Sequence, residues 1–325
     1  MGTVAVLGGT VAGVAAAARL AHVGHDVTLV EPDPGWPDAL AAQLGATAGS
    51  VVVDFPAPWR DLFTKSGRPA KGALGLHGLE LVPHPDSPGD RGEQWYRDVD
   101  ALGEDAAAAW RDLVDAADRT WQALRPLGLE AELTDAAVAR AGLDPRRSLA
   151  HVARDLRHPV LADRVRAVAT DRGLDPADAP AWLTSRLSID RTFGRWQLVD
   201  AAGAPAPASA LVDVLRGRIA ARGVPTTATT PAAAVTIDTR DPGLTWHRPR
   251  RWRPRDTFVD QLLARPRLAD PSAPGRFVAH ASSPGGAEPW AQVLSGALAS
   301  YAAHAHLTGE DIRPTNTHQG HGRAR

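Results

Sequence analysis

Four residues near the start of the chain have types and spacing that could hold a phosphate-bearing ligand. Gly8, Gly9 and Gly13 lie in "VAVLGGTVAGVAAAARLAHVGHDVTLVEP", and Glu31 follows Gly8 by 23 residues. Glycine at a strand-to-helix turn lets backbone and ligand approach, and the last glycine lets helix and strand pack closely. The helix N-terminus offers unpaired N–H groups and a partial positive charge to a pyrophosphate. A carboxylate after the second strand accepts hydrogen bonds from a ribose 2′-hydroxyl, which favours FAD or NAD over NADP. Thr10 stands where the middle glycine of a G-x-G-x-x-G belongs. If that position needs positive φ, a threonine there costs roughly 1–2 kcal/mol. Its hydroxyl could instead donate to a phosphate oxygen. Gly8, Gly9, Thr10, Val11, Ala12, Gly13 and Glu31 are the expected cofactor-binding set at this end of the chain.

These residues need a β–α–β unit to position them. Val4 to Leu7 reads as a strand buried on both faces. An Ala-rich helix is expected to open at Gly13 and run to about Val23, with Gly24 as its C-cap. Val27 to Val30 is the second strand. Further along, "GSVVVDFPAPWRDLFTKSGRP" reads as strand, turn and helix, and "GLELVPHP" as a short strand. From Glu93 to about Arg172 the pattern is helical, with Trp110, Leu113, Val114, Ala117, Trp121 and Leu124 on one stripe, read as core packing. "FGRWQLVD" (Phe193 to Asp200) and "AAAVTIDTRD" read as strands, and "ASALVDVLRGRIAARGV" as an amphipathic helix ended by Gly223. Near the end, "RFVAHASSPGGAEPWAQVLSGALASYAAHAHL" reads as a strand over Phe277–Ala279, a Pro-Gly-Gly loop and a helix from about Trp290 to His306. That second helix N-terminus could also face an anionic ligand.

Composition excludes several classes. The chain has 325 residues and no cysteine, so disulfides, thiol catalysis and zinc–thiolate sites are ruled out. The lack of thiols fits a reducing cytoplasm, and cytoplasmic location is the expectation. A formal net charge of −1 supplies no global field toward nucleic acid or anionic membranes. The stretch Trp246 to Arg255 carries five arginines and two tryptophans, read as a solvated, proline-stiffened loop. No run of about 20 apolar residues is present, so no spanning helix is expected; contact with a membrane surface is left open. The N-terminus lacks a basic region and Arg19 interrupts its apolar run, which argues against a signal peptide. No H-E-x-x-H, G-x-S-x-G or P-loop lysine motif occurs, and no metal site is expected.

The order of these elements resembles the FAD-dependent phytoene desaturase-like branch of the amine oxidase superfamily. The likeness runs over most of residues 1–235 and 274–305, from the first β–α–β through "WRDLFTKSGR", "FGRW" and "SALVDVLRGRIAARGV" to "PGGAEPWAQVLSG". It implies an α/β fold: a Rossmann-type FAD/NAD(P)-binding domain with an inserted, mostly helical α+β substrate cap. The cofactor domain would comprise residues 1–80, 205–240 and 274–308, the cap 81–204 and 241–273, and a flexible tail 309–325. By position Gly8, Gly9, Gly13 and Glu31 would contact the ADP half of FAD. His280, Pro284, Gly285, Gly286 and Pro289 would lie by the ribityl and flavin end. The implied activity is flavin-mediated dehydrogenation of an apolar, isoprenoid or lipid-like small molecule, with no side-chain base that can be named. Several features depart from the family. Besides Thr10, "PDPGWPDAL" follows Glu31 in place of a GG-R motif, Ala279-His280 replaces Gly-Asp, and the region from about Asp238 to Arg276 is short. These departures keep open a relative without catalysis that binds or scaffolds. An NAD-binding dehydrogenase is a weaker alternative, because it leaves "PGGAEPWAQVLSG" without a role.

Overall fold

Val4, Ala5 and Val6 are buried, as an uninterrupted apolar run at the centre of a parallel sheet requires. In the computed structural model this run is β1 (Thr3–Leu7), followed by α1 (Val11–His22) and β2 (Asp26–Val30). The structure describes residues 1–44, 51–85, 99–125, 147–170, 175–240, 273–279 and 288–313. The remaining elements in chain order are α2 (Trp36–Gln43), β3 (Val52–Val53), α3 (Pro56–Lys65), α4 (Ala70–Gly75), β4 (Leu79–Pro83), α5 (Glu104–Arg125), α6 (Leu149–Asp155) and α7 (Pro159–Thr170). After a 3-10 turn at Ala181–Thr184 come α8 (Ser185–Phe193), β5 (Trp196–Asp200), α9 (Ala208–Ala220), β6 (Thr226–Thr227), β7 (Val235–Asp238), β8 (Arg276–Val278) and α10 (Pro289–Thr308).

Five strands form one sheet in the order β6-β2-β1-β7-β8, with every adjacent pair parallel. The chain is therefore a mixed α/β protein with a parallel sheet and largely helical remainder. Parallel neighbours need crossovers, and α1 supplies the one between β1 and β2. Helix α10 lies against α1 so closely that a Cβ on Gly296 would stand 2.3 Å from the Ala12 carbonyl oxygen. A second, antiparallel sheet has the order β3-β5-β4. Helices α5 to α8 pack around their own apolar cluster, which contains Trp110, Val114, Leu149, Leu161 and Leu183. Trp110 is 1% exposed and Trp121 is 6% exposed, so the expected core role of the tryptophan stripe holds for both.

Several boundaries differ from expectation. Helix α1 opens at Val11, not Gly13, because Thr10 is its N-cap. Phe193 does not begin β5; it ends α8, and Gly194 at φ +67° turns the chain into the strand. The strand expected over Phe277–Ala279 is Arg276–Val278. No helix among the described residues is long and apolar enough to cross a membrane. The Arg-rich stretch from Trp246 to Arg255, His280, Pro284, Gly285 and Gly286 lie outside the described residues.

Candidate functional site

In a doubly wound α/β sheet the ligand crevice lies at the carboxyl ends of the strands where the order reverses. Here that place is the end of β1, flanked by β2 and β7, and it contains the glycine-rich turn. Gly8 has φ +105°, so the turn uses glycine where only glycine sits without strain. Gly13 is needed for space. A Cβ there would lie 2.1 Å from the Gly8 carbonyl oxygen and 2.8 Å from Thr239 Oγ1. The two glycines therefore perform the turn and close-packing roles read from the sequence.

Thr10 behaves differently from both expectations made for it. Its φ is −84° and ψ 169°, an extended conformation that any residue adopts, so no left-handed strain exists. Nor is its hydroxyl free for a phosphate. Thr10 Oγ1 accepts from the Gly13 N–H at 3.0 Å and donates to Thr239 Oγ1 at 2.9 Å. The buried Thr239 hydroxyl in turn donates to the Leu7 and Gly8 carbonyls at 2.9 and 3.1 Å. A chain of hydroxyls thus ties the first turn of α1 to the strand ends. A threonine N-cap satisfies one of the helix's orphan donors, which a ligand would otherwise have to do.

The Gly9 and Val11 N–H groups of the loop are also engaged by the protein. Glu31 Oε2 accepts from the Gly9 N–H at 2.7 Å, and Oε1 from the Asp33 N–H at 3.1 Å. The expected ribose acceptor is therefore turned onto the loop itself. The Gln43 side-chain oxygen accepts from the Val11 N–H at 3.2 Å. Val14 N–H bonds to the Thr10 carbonyl at 2.9 Å. The indole of Trp36 lies against Gly9, since a Cβ on Gly9 would approach Trp36 Cε3 to 2.5 Å. Ala12 is fully buried under α10. Finally, the stem of Arg240 covers Gly8, where a Cβ would meet Arg240 Cγ at 3.0 Å. Its guanidinium pairs with Asp238 at 2.7 Å. Burial raises the Asp238 pKa, but the hydrogen bonds and charge of Arg240, with Arg276, outweigh it and hold the carboxyl below its ordinary range.

Of the second expected end of the cofactor site, Pro289 alone lies among the described residues. Pro289 is the first residue of α10, and Glu288 is its N-cap residue without a side-chain cap bond. Glu288 pairs with Arg186, both nearly buried, and the Arg186 guanidinium lies 4.4 Å from the Trp290 ring centroid. Phe55 packs edge-on against Trp290 and Trp121, with ring centroids at 5.3 and 5.5 Å, and against Phe193 at 4.6 Å. An aromatic cluster around Phe55 therefore joins α5, the end of α8 and the first turn of α10. The loop glycines described here do not present a free set of donors to FAD. Sequence reading singled out Gly8, Gly9, Thr10, Gly13 and Glu31, which the fold does bring together. It missed Trp36, Gln43, Thr239 and Arg240, whose part depends on tertiary packing; the one local signal was Trp36-Pro37 in place of the expected glycines after Glu31.

No protein-family model matches the chain, and no curated protein matches it. Among solved structures it is similar to an oxidoreductase from Methanosarcina mazei, at 15% identity and a TM-score of 0.40. That match covers 73% of this chain and 58% of the other, so the chain spans less than two thirds of the matched structure.

Proposed function

We propose that this chain is a Rossmann-type relative of the FAD-dependent desaturases that acts as a binding protein, with its dinucleotide cradle closed by its own side chains. One observation carries the reading. The N–H groups of Gly9, Val11 and Gly13, in the loop and first turn of α1, are engaged by Glu31, Gln43 and Thr10. Site chemistry decides function on this fold, and the chemistry of this site is inward-facing. An absorption spectrum of the purified protein, followed by titration with FAD, tests the reading. The expected result is a colourless protein that takes up no stoichiometric FAD. Flavin bands, or saturable FAD uptake, overturn it.

A second reading has a specific feature in its favour. Gly8, Gly13 and Glu31 keep their places, and two of the groups that cover them, Trp36 and Gln43, come from one short helix, α2. If α2 swings away, FAD could enter, and the chain would be a cytoplasmic flavin-dependent oxidoreductase of phytoene desaturase type acting on an apolar substrate. The same titration separates the two readings.

A further inference from the structure

A groove of about 310 Å³ opens between the C-terminal end of α3, helix α4 and helix α9, on a side of the molecule separate from the glycine-rich turn. Its floor includes Ala73 and Val214, and Leu76 stands 70% exposed at its edge. Arg68, His77, Arg218 and Arg222 line the rest. Three of these four are arginines, in a protein whose formal net charge is −1.

Two of the arginines are fixed by backbone. Arg222 Nε donates to the Ser66 carbonyl at 2.7 Å, and Arg218 Nη2 donates to the Arg68 carbonyl at 2.8 Å. The Ser66 carbonyl is at the C-cap of α3, where cations are favoured by the helix dipole, and the Arg68 carbonyl lies in the turn that follows. The anchoring uses only part of each fork, since a guanidinium carries five N–H donors. Gly67, at φ +107°, lets Arg222 lie flat over the turn; a Cβ there would come within 1.5 Å of Arg222 Nη2. Local carboxylates are committed elsewhere. Asp61 pairs with the buried Arg19 at 2.5 Å and Asp213 with Arg216 at 3.7 Å. Among the described residues no carboxylate pairs with Arg68, Arg218 or Arg222. The local field shows in the neighbours. Burial, then Arg222 and Arg68, lower the Arg218 pKa, and burial with Arg222, Arg218 and Lys65 lowers that of His22. Pre-positioned guanidinium forks facing an apolar floor suit a phosphate or carboxylate group carried on a small apolar body.

We infer that the groove between α3, α4 and α9 binds a small amphipathic anion, its oxyanion held by Arg218 and Arg222 and its apolar part against Ala73, Leu76 and Val214. This inference does not depend on whether FAD is bound. Gly217 gives a clean test. It faces the groove from α9, and the nearest atom to a Cβ built there is His77 Nε2 at 3.6 Å. Gly217→Leu fills the groove, removes no charge and favours the helix. Calorimetry with hexyl phosphate is expected to give saturable binding, with inorganic phosphate weaker and hexanol not binding. Gly217→Leu, by filling the space the ligand would occupy, and Arg222→Gln, by removing a charge-assisted contact, are each expected to weaken hexyl phosphate by roughly tenfold or more. Both variants should keep the wild-type circular dichroism spectrum. No saturable binding to folded wild-type protein overturns the inference, as does binding indifferent to Gly217→Leu. Binding only to vesicles of phosphatidylglycerol, with none to hexyl phosphate, also overturns it and assigns the arginines to a membrane surface.

Discussion

The glycine-rich turn and the arginine groove face opposite chemical problems. At the turn, donors that a ligand could use are consumed by Thr10, Glu31 and Gln43. In the groove, Arg218 through Nη2 and Arg222 through Nε bond to carbonyls at and just after the end of α3 and meet no carboxylate among the described residues. The turn holds a motif and has closed over it. The groove has no motif, and its arginines meet no compensating carboxylate among the described residues. The comparison teaches that a phosphate-binding signature marks how strand and helix pack, while an unpaired field marks where a ligand is still wanted.

Glycine substitutions break this comparison most sharply. Gly13→Val places its Cβ against the Gly8 carbonyl, which is backbone and cannot step aside. We expect a loss of roughly 4 kcal/mol, enough to prevent folding of a marginal chain, by urea titration. Gly217→Leu in the groove should stay within about 0.5 kcal/mol of wild type. Equal losses at the two sites would erase the distinction between a packed turn and an open groove.

Next in size is the lid. Trp36 is 9% exposed and leans on Gly9. Trp36→Ala should cost about 3 kcal/mol, as large-to-small changes of buried aromatics do. Combined with Gln43→Ala, it exposes the Gly9 and Val11 end of the loop. The double variant should then bind ADP measurably where the wild type does not, by calorimetry. A double variant that stays folded and still ignores ADP would show that Thr10 and Glu31 alone suffice to close the cradle.

Thr10→Ala removes the N-cap and the link to Thr239, and should cost about 1 kcal/mol in the same urea titration. Thr10→Gly should cost only a few tenths, because glycine is a tolerated cap. This ordering inverts the expectation drawn from the motif, in which glycine was the residue the position wanted. The sequence could not reveal the inversion, because the φ of Thr10 follows from where α1 starts. The β–α–β unit itself was legible, since two buried apolar runs flank an alanine-rich helix. So were the turn role of Gly8 and the packing role of Gly13, which are local. Gln43 on Val11 and Thr239 beneath Thr10 were not, because they are long-range contacts 32 and 229 residues apart in the chain. The Arg218–Arg222 pair reads in sequence as one face of an ordinary amphipathic helix; only the fold sets it over the end of α3.

The smallest effect is expected where α1 meets α10. His25 Nδ1 accepts from the Gly2 N–H at 3.2 Å, which leaves Nε2 as its protonated nitrogen, facing His304 Nδ1 at 2.9 Å. This pairing works for neutral rings. A proton added to His25 Nδ1 would displace the Gly2 N–H. Burial, and then the neighbouring His304, hold His25 below its ordinary histidine value. The unfolded chain therefore takes up a proton near pH 6.5, about the ordinary imidazole value, before the folded one does. The stability is complete above that pH and is lost as pH falls through it toward the lower folded value. His22 is shifted in the same direction, by burial and by Arg222, Arg218 and Lys65, and adds to the slope. Between about pH 7.5 and pH 5.5, wild type should lose stability in urea titrations. The double variant His25→Leu/His304→Leu should lose less, and of what remains only the part that Arg222, Arg218 and Lys65 impose on His22, not the part due to burial, should shrink in salt. A slope unchanged in the double variant would move the pH dependence away from the α1–α10 interface and onto the arginine groove's own edge.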